Sequence, residues 1–199
     1  MADLIDSAMD DTATDCGHAE PAPRCAIELV PVTSDNLDKV RRINTVLFPV
    51  RYSDRFYTNL LTVGEFAQLA VVDGRCVGVV GCQPEASVAD QALADQVYIM
   101  TLGVLAPYRR LGIGRYLLRH VLAHAEALNR VASDPGRRLR RVYLHVQVSN
   151  DEALHFYQAH GFVIASEVPN YYNRIEPTSA YLLVRSLLPE NGPLPVTPA

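Results

Sequence analysis

The sequence has no long apolar run, no leader-like N-terminus and no paired cysteines, and each absence narrows the class of protein. No apolar stretch approaches the ~18 residues that a membrane-spanning helix needs, so we expect no membrane partner. The N-terminus is acidic and lacks the basic and apolar regions of a signal peptide. Cys16, Cys25, Cys76 and Cys82 show no C-x-x-C spacing, which predicts reduced thiols that mostly pack inside an intracellular protein.

An excess of positive charge is also missing. The formal net charge is -4, so the chain as a whole is not expected to bind DNA. A local basic cluster is the exception, and it comprises Arg137, Arg138, Arg140 and Arg141. We interpret this cluster as a solvated loop, with a docking patch for an acidic partner or ribosomal RNA as the alternative.

No metal-binding motif is complete. His120 and His124 lie one helical turn apart, but Val121 stands where H-E-x-x-H has its glutamate, and no third ligand is evident. We therefore expect a surface pair of histidines and no metal requirement.

The length of 199 residues suits one domain with a full core. Residues 1–24 form an acidic extension that we expect to be disordered. The folded domain is expected to span residues 25–188, and a proline-containing tail at 189–199 is again expected to be disordered.

Apolar periodicity predicts the order of elements in the folded domain. Ser34, Ser53 and Asn150 are candidate helix caps, and Asp73-Gly74 is a strong hairpin signal between two apolar runs. The predicted order is βαα, a hairpin, βαβα and two further strands. A parallel β-α-β unit flanked by antiparallel strands indicates an α/β layered fold.

The most informative segment is Arg109-Arg110-Leu111-Gly112-Ile113-Gly114, between a predicted buried strand and an amphipathic helix. Glycines at a strand-to-helix junction let the backbone approach a ligand closely, and the first N–H groups of the helix favour phosphate. The segment matches neither G-x-x-x-x-G-K-[ST] nor G-x-G-x-x-G, so it is neither of the common nucleotide-binding loops.

The strand, loop and helix together resemble the segment with which GCN5-related N-acetyltransferases (GNAT enzymes) bind the pyrophosphate of acetyl-CoA through Q/R-x-x-G-x-G/A. Further stretches between Arg41 and about Leu187 resemble the NatE-type protein N-terminal acetyltransferases. They are Leu47-Phe48-Pro49-Val50-Arg51-Tyr52, Tyr98-Ile99-Met100-Thr101-Leu102-Gly103, Leu105-Ala106-Pro107-Tyr108, Tyr143-Leu144-His145-Val146-Gln147 and Asn170-Tyr171-Tyr172-Asn173-Arg174-Ile175-Glu176-Pro177. This resemblance implies a GNAT fold: a mixed, mostly antiparallel sheet with a central parallel β-α-β unit flanked by helices.

The resemblance also implies roles for individual residues. Tyr98 and His145 correspond to the catalytic bases, with the histidine acting through an ordered water. Acetyl-CoA is the implied co-substrate, and its implied contacts are Leu102, Gly103, Val104, Arg109, Arg110, Leu111, Gly112, Ile113, Gly114, Arg115, Asn150 and Tyr157. The implied peptide-binding residues are Phe48, Pro49, Val50, Tyr52, Met100, Tyr171, Tyr172 and Ile175.

Several of these residues have equally simple structural explanations. His145 lies on the same face of its strand as Tyr143 and Gln147, and taken alone it could be an ordinary strand histidine. Tyr157 could donate a proton or a hydrogen bond to the leaving thiolate, or pack in the core. Asn150 could cap its helix, contact the coenzyme, or do both. Backbone N–H groups near Leu102 are the expected oxyanion donors.

The chemistry of thioester aminolysis favours an N-terminal amine as the acceptor. An α-amino group has a pKa of about 7.7–8.0 and a lysine about 10.4, so far more N-termini than lysines are neutral near pH ~7.4. An aromatic, apolar cleft would receive an initiator methionine and orient its amine. We therefore expect acetyl transfer to Met-initiated polypeptides by direct attack in a ternary complex, with slower lysine acetylation.

Two other functions remain open at this stage. One is acetylation of a small amine, which needs no two-loop aromatic cleft. The other is a weakly active or non-catalytic subunit of a ribosome-bound complex, because family members associate with the large ribosome-anchoring subunit of NatA and its catalytic partner. The resemblance implies nascent or free polypeptide N-termini as partners and a cytoplasmic location, with the nucleus as a further one.

Overall fold

The computed structural model describes residues 26–86, 94–134, 138–173 and 175–188. Within these ranges the helices are α1 (Leu37–Leu47), α2 (Asp54–Leu60), α3 (Ile113–Val131) and α4 (Asp151–Gln158), with short 3-10 turns at Gly64–Phe66 and Ala106–Tyr108. The strands are β1 (Glu28–Pro31), β2 (Ala67–Val72), β3 (Arg75–Glu85), β4 (Gln96–Val104), β5 (Arg141–Gln147), β6 (Val163–Val168) and β7 (Ala180–Ser186). This order confirms the one predicted from apolar periodicity.

The strands form one seven-stranded sheet in the order β1-β2-β3-β4-β5-β7-β6. All neighbouring strands pair antiparallel except β4 and β5, which are parallel and joined through α3. The predicted α/β class and its central parallel β-α-β unit are confirmed. The predicted domain boundaries at residues 25 and 188 stay predictions, since the segments beyond 26 and 188 lie outside the described residues.

Two apolar cores cover the two faces of the sheet. Neighbouring residues of a strand point to opposite faces, and Val79 and Val80 of β3 accordingly belong to different cores. The first core packs α3 and α4 against the sheet and includes Leu117, Leu118 and Phe162. The second packs α1 and α2 on the opposite face. Each fully buried side chain of this size contributes about 1.5–3 kcal/mol, so α3 is held on the sheet from Ile113 to Ala125.

Turn and capping residues explain most element ends. Asp73 and Gly74 both have positive φ, of 50° and 74°, as a two-residue hairpin turn requires. Ser53 and Asn150 accept hydrogen bonds from the first turns of α2 and α4, as predicted. The prediction for Ser34 was wrong. The residue before α1 is Asn36, whose side chain instead bonds to Thr33 N and Pro31 O in the preceding turn.

The two parallel strands separate soon after they meet. Between β4 and β5 the paired residues run from Gln96 and Arg141 to Tyr98 and Tyr143. The register of β4 against β3 then shifts, since Gly81 faces Thr101 whereas Cys82 faces Ile99. Met100 is the extra residue of this bulge, which bends the strand. The separation of β4 from β5 opens the cleft described below.

The cysteines and the helix lengths can also be compared with the expectations from the sequence. Cys76 and Cys82 are free thiols, and Cys82 is fully buried. Cys16 and Cys25 lie outside the described residues. Within the described ranges, the helices are too short or too polar to cross a bilayer.

Candidate active site

The glycine-containing loop lies at the start of α3, where it adopts backbone conformations that side chains disfavour. Gly112 directly precedes the helix with φ of 84°, and Arg110 has φ of 64°. Glycine adopts this left-handed region without steric cost, whereas residues with a Cβ atom are strained there. A Cβ atom at Gly114 would lie 3.7 Å from the Phe156 ring, in ordinary contact. The loop thus brings main-chain N–H groups close to a cleft, as anion binding requires.

The cleft is about 1680 Å³ in volume and runs between the separated ends of β4 and β5. The α3 loop and α4 line one end, including Arg109, Gly112, Gly114 and Phe156, and we call it the donor end. The opposite end, here called the acceptor end, is lined by residues 47–52, Phe56, Met100 and residues 171–173 and 175. Tyr98 and His145 also line this cleft.

Tyr98 and His145 are connected through Tyr171. The hydroxyl oxygens of Tyr98 and Tyr171 are 2.8 Å apart, within hydrogen-bond distance. The Tyr171 ring stacks on the His145 imidazole with 4.3 Å between centroids. The ring centroids of Tyr98 and His145 are 5.7 Å apart in an edge-to-face arrangement. A tyrosine hydroxyl and an imidazole therefore meet at one place in the cleft.

The environment moves the pKa values of these two groups in opposite directions. Burial lowers the pKa of His145, which keeps the imidazole neutral at physiological pH. Burial, with Tyr171 next to it, raises the pKa of Tyr98, which keeps the phenol protonated. His145 Nδ1 is buried and makes no hydrogen bond to the described residues. The imidazole is thus suited to accept a proton and the phenol to donate a hydrogen bond.

Aromatic rings build the acceptor end. Phe48, at the end of α1, meets Tyr52 edge-to-face at 6.0 Å, and Tyr52 stacks on Phe56 at 4.3 Å. Across the cleft, Tyr171 and Tyr172 lie 4.9 Å apart. This loop is held by hydrogen bonds from Tyr172 N to Thr178 O and from the Gln147 amide to Pro177 O. The acceptor end is therefore an apolar, aromatic pocket with ordered walls.

Gly103 sets the position of the first aromatic loop. A Cβ atom at this position would come within 2.9 Å of Leu47 and 3.0 Å of Phe48. The absence of a side chain lets the end of α1 lie directly on β4. The resemblance implies that Gly103 contacts acetyl-CoA. Its position directly against Leu47 and Phe48 shows that it also packs on the loop at the acceptor end.

Comparison with known proteins identifies the fold and the family. Residues 37–162 match the model of the acetyltransferase (GNAT) family. N-alpha-acetyltransferase 50 of Danio rerio is 47% identical over 161 residues, which cover 81% of this chain and 89% of that protein. The probable N-acetyltransferase san of Drosophila melanogaster is 41% identical over 164 residues, 82% of this chain and 83% of its own.

A solved structure agrees with this result. Arabidopsis thaliana Naa50 in complex with the bisubstrate analogue CoA-Ac-MVNAL has a TM-score of 0.70 and 41% identity, covering 80% of this chain and 98% of that one. The chain belongs to the GNAT acetyltransferase family. Within that family its close relatives are of the NatE type, as the sequence resemblance indicates.

This GNAT chain brings nearly all residues implied by the resemblance to one cleft. Of the twelve positions implied for acetyl-CoA, Leu111 is the exception, because its side chain packs against the first core. Asn150 both lines the cleft and caps α4 through a 3.1 Å bond from Ala153 N. Tyr157 is buried, packs 5.4 Å from the Phe162 ring and also lines the cleft. Burial raises the pKa of Tyr157.

Sequence reasoning missed other residues of the GNAT cleft. Phe56, Tyr108, Phe156 and His160 line it as well. Helical spacing from Asn150 could have placed Phe156 on the same helix as Tyr157, and Phe56 follows the helix cap Ser53 by three residues. Their orientation toward the cleft depends on how α2 and α4 pack on the sheet.

The remaining candidates of the sequence lie outside the cleft. His120 Nε2 is 3.1 Å from a Glu65 carboxylate oxygen, and His124 packs edge-to-face on Phe66. Both histidines are half-buried, so the expected surface pair is only partly exposed. In the described ranges, no cluster of three or more histidine, cysteine or acidic side chains is arranged to hold a metal.

The basic cluster before β5 is divided in the structure. Arg141 is half-buried, and its Nε donates to Gln96 Oε1 at 2.8 Å. Arg138 and Arg140 are exposed, and Arg137 lies outside the described residues. Arg141 is thus a structural member of the sheet, whereas Arg138 and Arg140 fit the solvated loop.

Proposed function

We propose that this chain transfers the acetyl group of acetyl-CoA to the α-amino group of polypeptides that begin with methionine. The observation that carries the proposal is the single cleft in which a phosphate-binding helix start, the Tyr98–His145 pair and an aromatic pocket follow one another. The Arabidopsis relative that was solved with CoA-Ac-MVNAL supports it, since that ligand joins coenzyme A to a Met-initiated peptide.

At the donor end, the N-terminus of α3 would bind the pyrophosphate of acetyl-CoA. The first N–H groups of a helix have no partner inside the helix and lie at the positive end of its dipole. The thioester would then extend along β4, where that strand has separated from β5. Backbone N–H groups near Leu102 would stabilise the oxyanion.

Proton transfer would proceed through His145. The neutral α-amine attacks the thioester carbonyl carbon, and its proton passes to His145 as the C–N bond forms. The C–S bond then breaks, and the coenzyme A thiolate leaves and takes its proton from solvent, to which protonated His145 returns the proton of the amine. Tyr157, whose pKa burial raises, would donate a hydrogen bond to the thiolate. Tyr98, kept protonated by burial, would hydrogen-bond at the reacting centre. The resemblance assigns both residues as bases, and their environments favour His145 for this role.

At the acceptor end, the methionine side chain would occupy the pocket between the two aromatic loops. Phe48, Pro49, Val50 and Met100 supply one apolar wall, and Tyr172 supplies part of the other. Burial of an apolar side chain orients the adjacent amine toward His145. A lysine amine would react more slowly, because far less of it is neutral near pH ~7.4.

A substrate panel tests this proposal. Full-length protein is assayed with acetyl-CoA and peptides that start Met-Leu or Ser-Leu but are otherwise identical, and with a polyamine. We expect Met-Leu to have the highest kcat/KM. Faster turnover of the polyamine would indicate a small-molecule acetyltransferase instead. Tight coenzyme binding by calorimetry without turnover of any peptide would indicate a non-catalytic subunit.

Partners and location are proposed on the resemblance alone. We propose that the chain acts on nascent or free N-termini in the cytoplasm, and that it associates with a NatA-type ribosome-anchoring subunit. Co-purification of a tagged full-length chain with ribosomes, before and after depletion of that subunit, tests the association. Ribosome binding that persists after depletion would contradict the route through NatA.

A further inference from the structure

The Tyr98 ring packs on side chains that take no part in the proposed acetyl transfer. Its ring stacks on that of Tyr143, with 4.9 Å between centroids and 23° between planes. Tyr143 is absent from the lining of the cleft, where Tyr98 and His145 are present. A side chain behind the cleft can affect the reaction only through the groups that it contacts, which for Tyr143 are the stacked Tyr98 ring and, at 6.4 Å between centroids, the His145 imidazole.

Tyr143 is itself held by a short hydrogen bond. Its hydroxyl donates to Glu85 Oε2 at 2.6 Å. Bonds of this kind, with one ionised partner, are about twice as strong as neutral ones. The Arg141 guanidinium lies 5.6 Å from the Tyr143 ring centroid and donates through Nε to Gln96 at 2.8 Å. The Tyr143 ring is thus restrained at its hydroxyl and by a neighbouring cation.

The register of three strands places these groups on one face of the sheet. Glu85 of β3 pairs with Gln96 of β4, and Gln96 pairs with Arg141 of β5. Two residues further along, Tyr98 pairs with Tyr143 in the last paired position between the parallel strands. Paired residues share a face. On the side of the cleft the Tyr98 ring meets His145 of β5 edge-to-face, with 5.7 Å between centroids, whereas Tyr143 stacks flat against it.

We propose that Tyr143, anchored by Glu85, is a positioning residue that fixes the Tyr98 ring where the two parallel strands separate. The inference rests on the proposed function. The Tyr98 hydroxyl must lie within hydrogen-bond reach of the reacting centre, and misplacement by about 1 Å can reduce a rate by up to about 100-fold. Glu85 sets the position of the Tyr143 hydroxyl, and the stacked rings transmit that position to Tyr98.

Four variants test the inference in steady-state assays of the full-length chain with a Met-Leu peptide. Tyr143→Phe keeps the ring but removes the hydrogen bond, and we expect kcat to fall by roughly five- to tenfold with both KM values unchanged. Glu85→Ala should reproduce this loss. Glu85→Gln retains an acceptor oxygen and should restore kcat to within about twofold of wild type. Tyr181→Phe, on β7 and outside the cleft lining, is the control for loss of a tyrosine hydroxyl.

The deciding measurement is made in a Tyr98→Phe background. If Tyr143 acts through the Tyr98 hydroxyl, Tyr143→Phe has no further effect on kcat there, because the group that it positions is gone. Losses that multiply would overturn the inference, as would an unchanged kcat in Tyr143→Phe or a loss explained by unfolding at the assay temperature. A wild type that acetylates no peptide would instead overturn the proposed function, and the inference with it.

Discussion

The loop at the donor end of the cleft is formed by consecutive residues, whereas the acceptor end is formed by side chains from distant segments. At the donor end Gly112 adopts a φ of 84° that side chains disfavour, and α3 begins directly after it. At the acceptor end Phe48, at the end of α1, and Tyr172, in the loop before β7, line the same cleft although they are far apart in the chain. A local site tolerates changes elsewhere in the chain, but an assembled site depends on the packing of the whole fold.

The largest expected effect is at His145, where the donor end and the acceptor end of the cleft join. His145→Phe keeps a ring that can stack on Tyr171 but removes the proton acceptor, so kcat should fall by about 10²–10⁴-fold while both KM values change little. His124→Phe, outside the cleft lining, is the matched control. A wild-type kcat in His145→Phe would remove the histidine from the mechanism.

The pH dependence of kcat in wild type and in His145→Phe tests the same assignment. Burial lowers the pKa of His145, so the imidazole becomes protonated, and can no longer accept a proton, only at pH values below the usual range of a histidine. We expect the kcat of wild type to fall as the pH drops through that lowered value, and the kcat of His145→Phe to lack this limb. The substrate amine contributes a separate limb to kcat/KM, near pH ~7.7–8.0, in both enzymes. Identical kcat profiles would argue against the assignment.

A donor-end change should affect only the coenzyme. Gly112→Val places a branched side chain at φ of 84°, which costs about 2 kcal/mol and should raise the KM for acetyl-CoA about thirtyfold. The KM for peptide should stay within about twofold. Gly74→Val is the control, since Gly74 also has positive φ, of 74°, but lies in the hairpin turn. An equal rise of the acetyl-CoA KM in the control would show that the effect is general strain.

An acceptor-end change should have the opposite selectivity. Phe48→Ala removes one wall of the aromatic pocket, and loss of about 1.4 kcal/mol of apolar contact corresponds to a tenfold higher peptide KM. The KM for acetyl-CoA should be unchanged. Val46→Ala, two residues earlier and 74% exposed, serves as the control. A parallel rise in both KM values would mean that Phe48 supports the donor end as well.

The smallest expected effect distinguishes the two possible roles of Asn150. Asn150→Ala removes the cap of α4 and should lower stability by about 1 kcal/mol, or Tm by about 2–4 °C. Asn150→Ser retains a capping oxygen and should restore Tm. If the acetyl-CoA KM rises in both variants, Asn150 also contacts the coenzyme. If it is unchanged in both, Asn150 only caps the helix.

Much of the fold was predictable because it depends on local rules. Apolar periodicity predicts the order of helices and strands, and Asp73-Gly74 predicts the hairpin because both residues accept positive φ. Ser34 was wrong as a cap because Asn36 lies closer to the helix and folds its amide back onto the preceding turn. Strand β3 extends to Glu85 although Pro84 disfavours a strand, since its last residues pair with β4.

The site was predictable only where family resemblance or backbone rules apply. The resemblance includes Leu111 with the loop, but its side chain packs against the first core and does not line the cleft. Tyr143 was recognised only as a neighbour of His145 on one face of β5. Its bond to Glu85 joins segments that are adjacent only across the sheet, and no local pattern reports such a contact.

By itself, the sequence determined the element order, the Asp73-Gly74 hairpin and the position of the glycine-containing loop before α3, because each depends on a few neighbouring residues. Only the tertiary structure decided that β4 and β5 separate after Tyr98 and Tyr143, and that Tyr171 meets both Tyr98 and His145. It also decided the direction of the pKa changes of Tyr98 and His145. These properties depend on burial and on contacts between distant segments, which exist only after the sheet has formed.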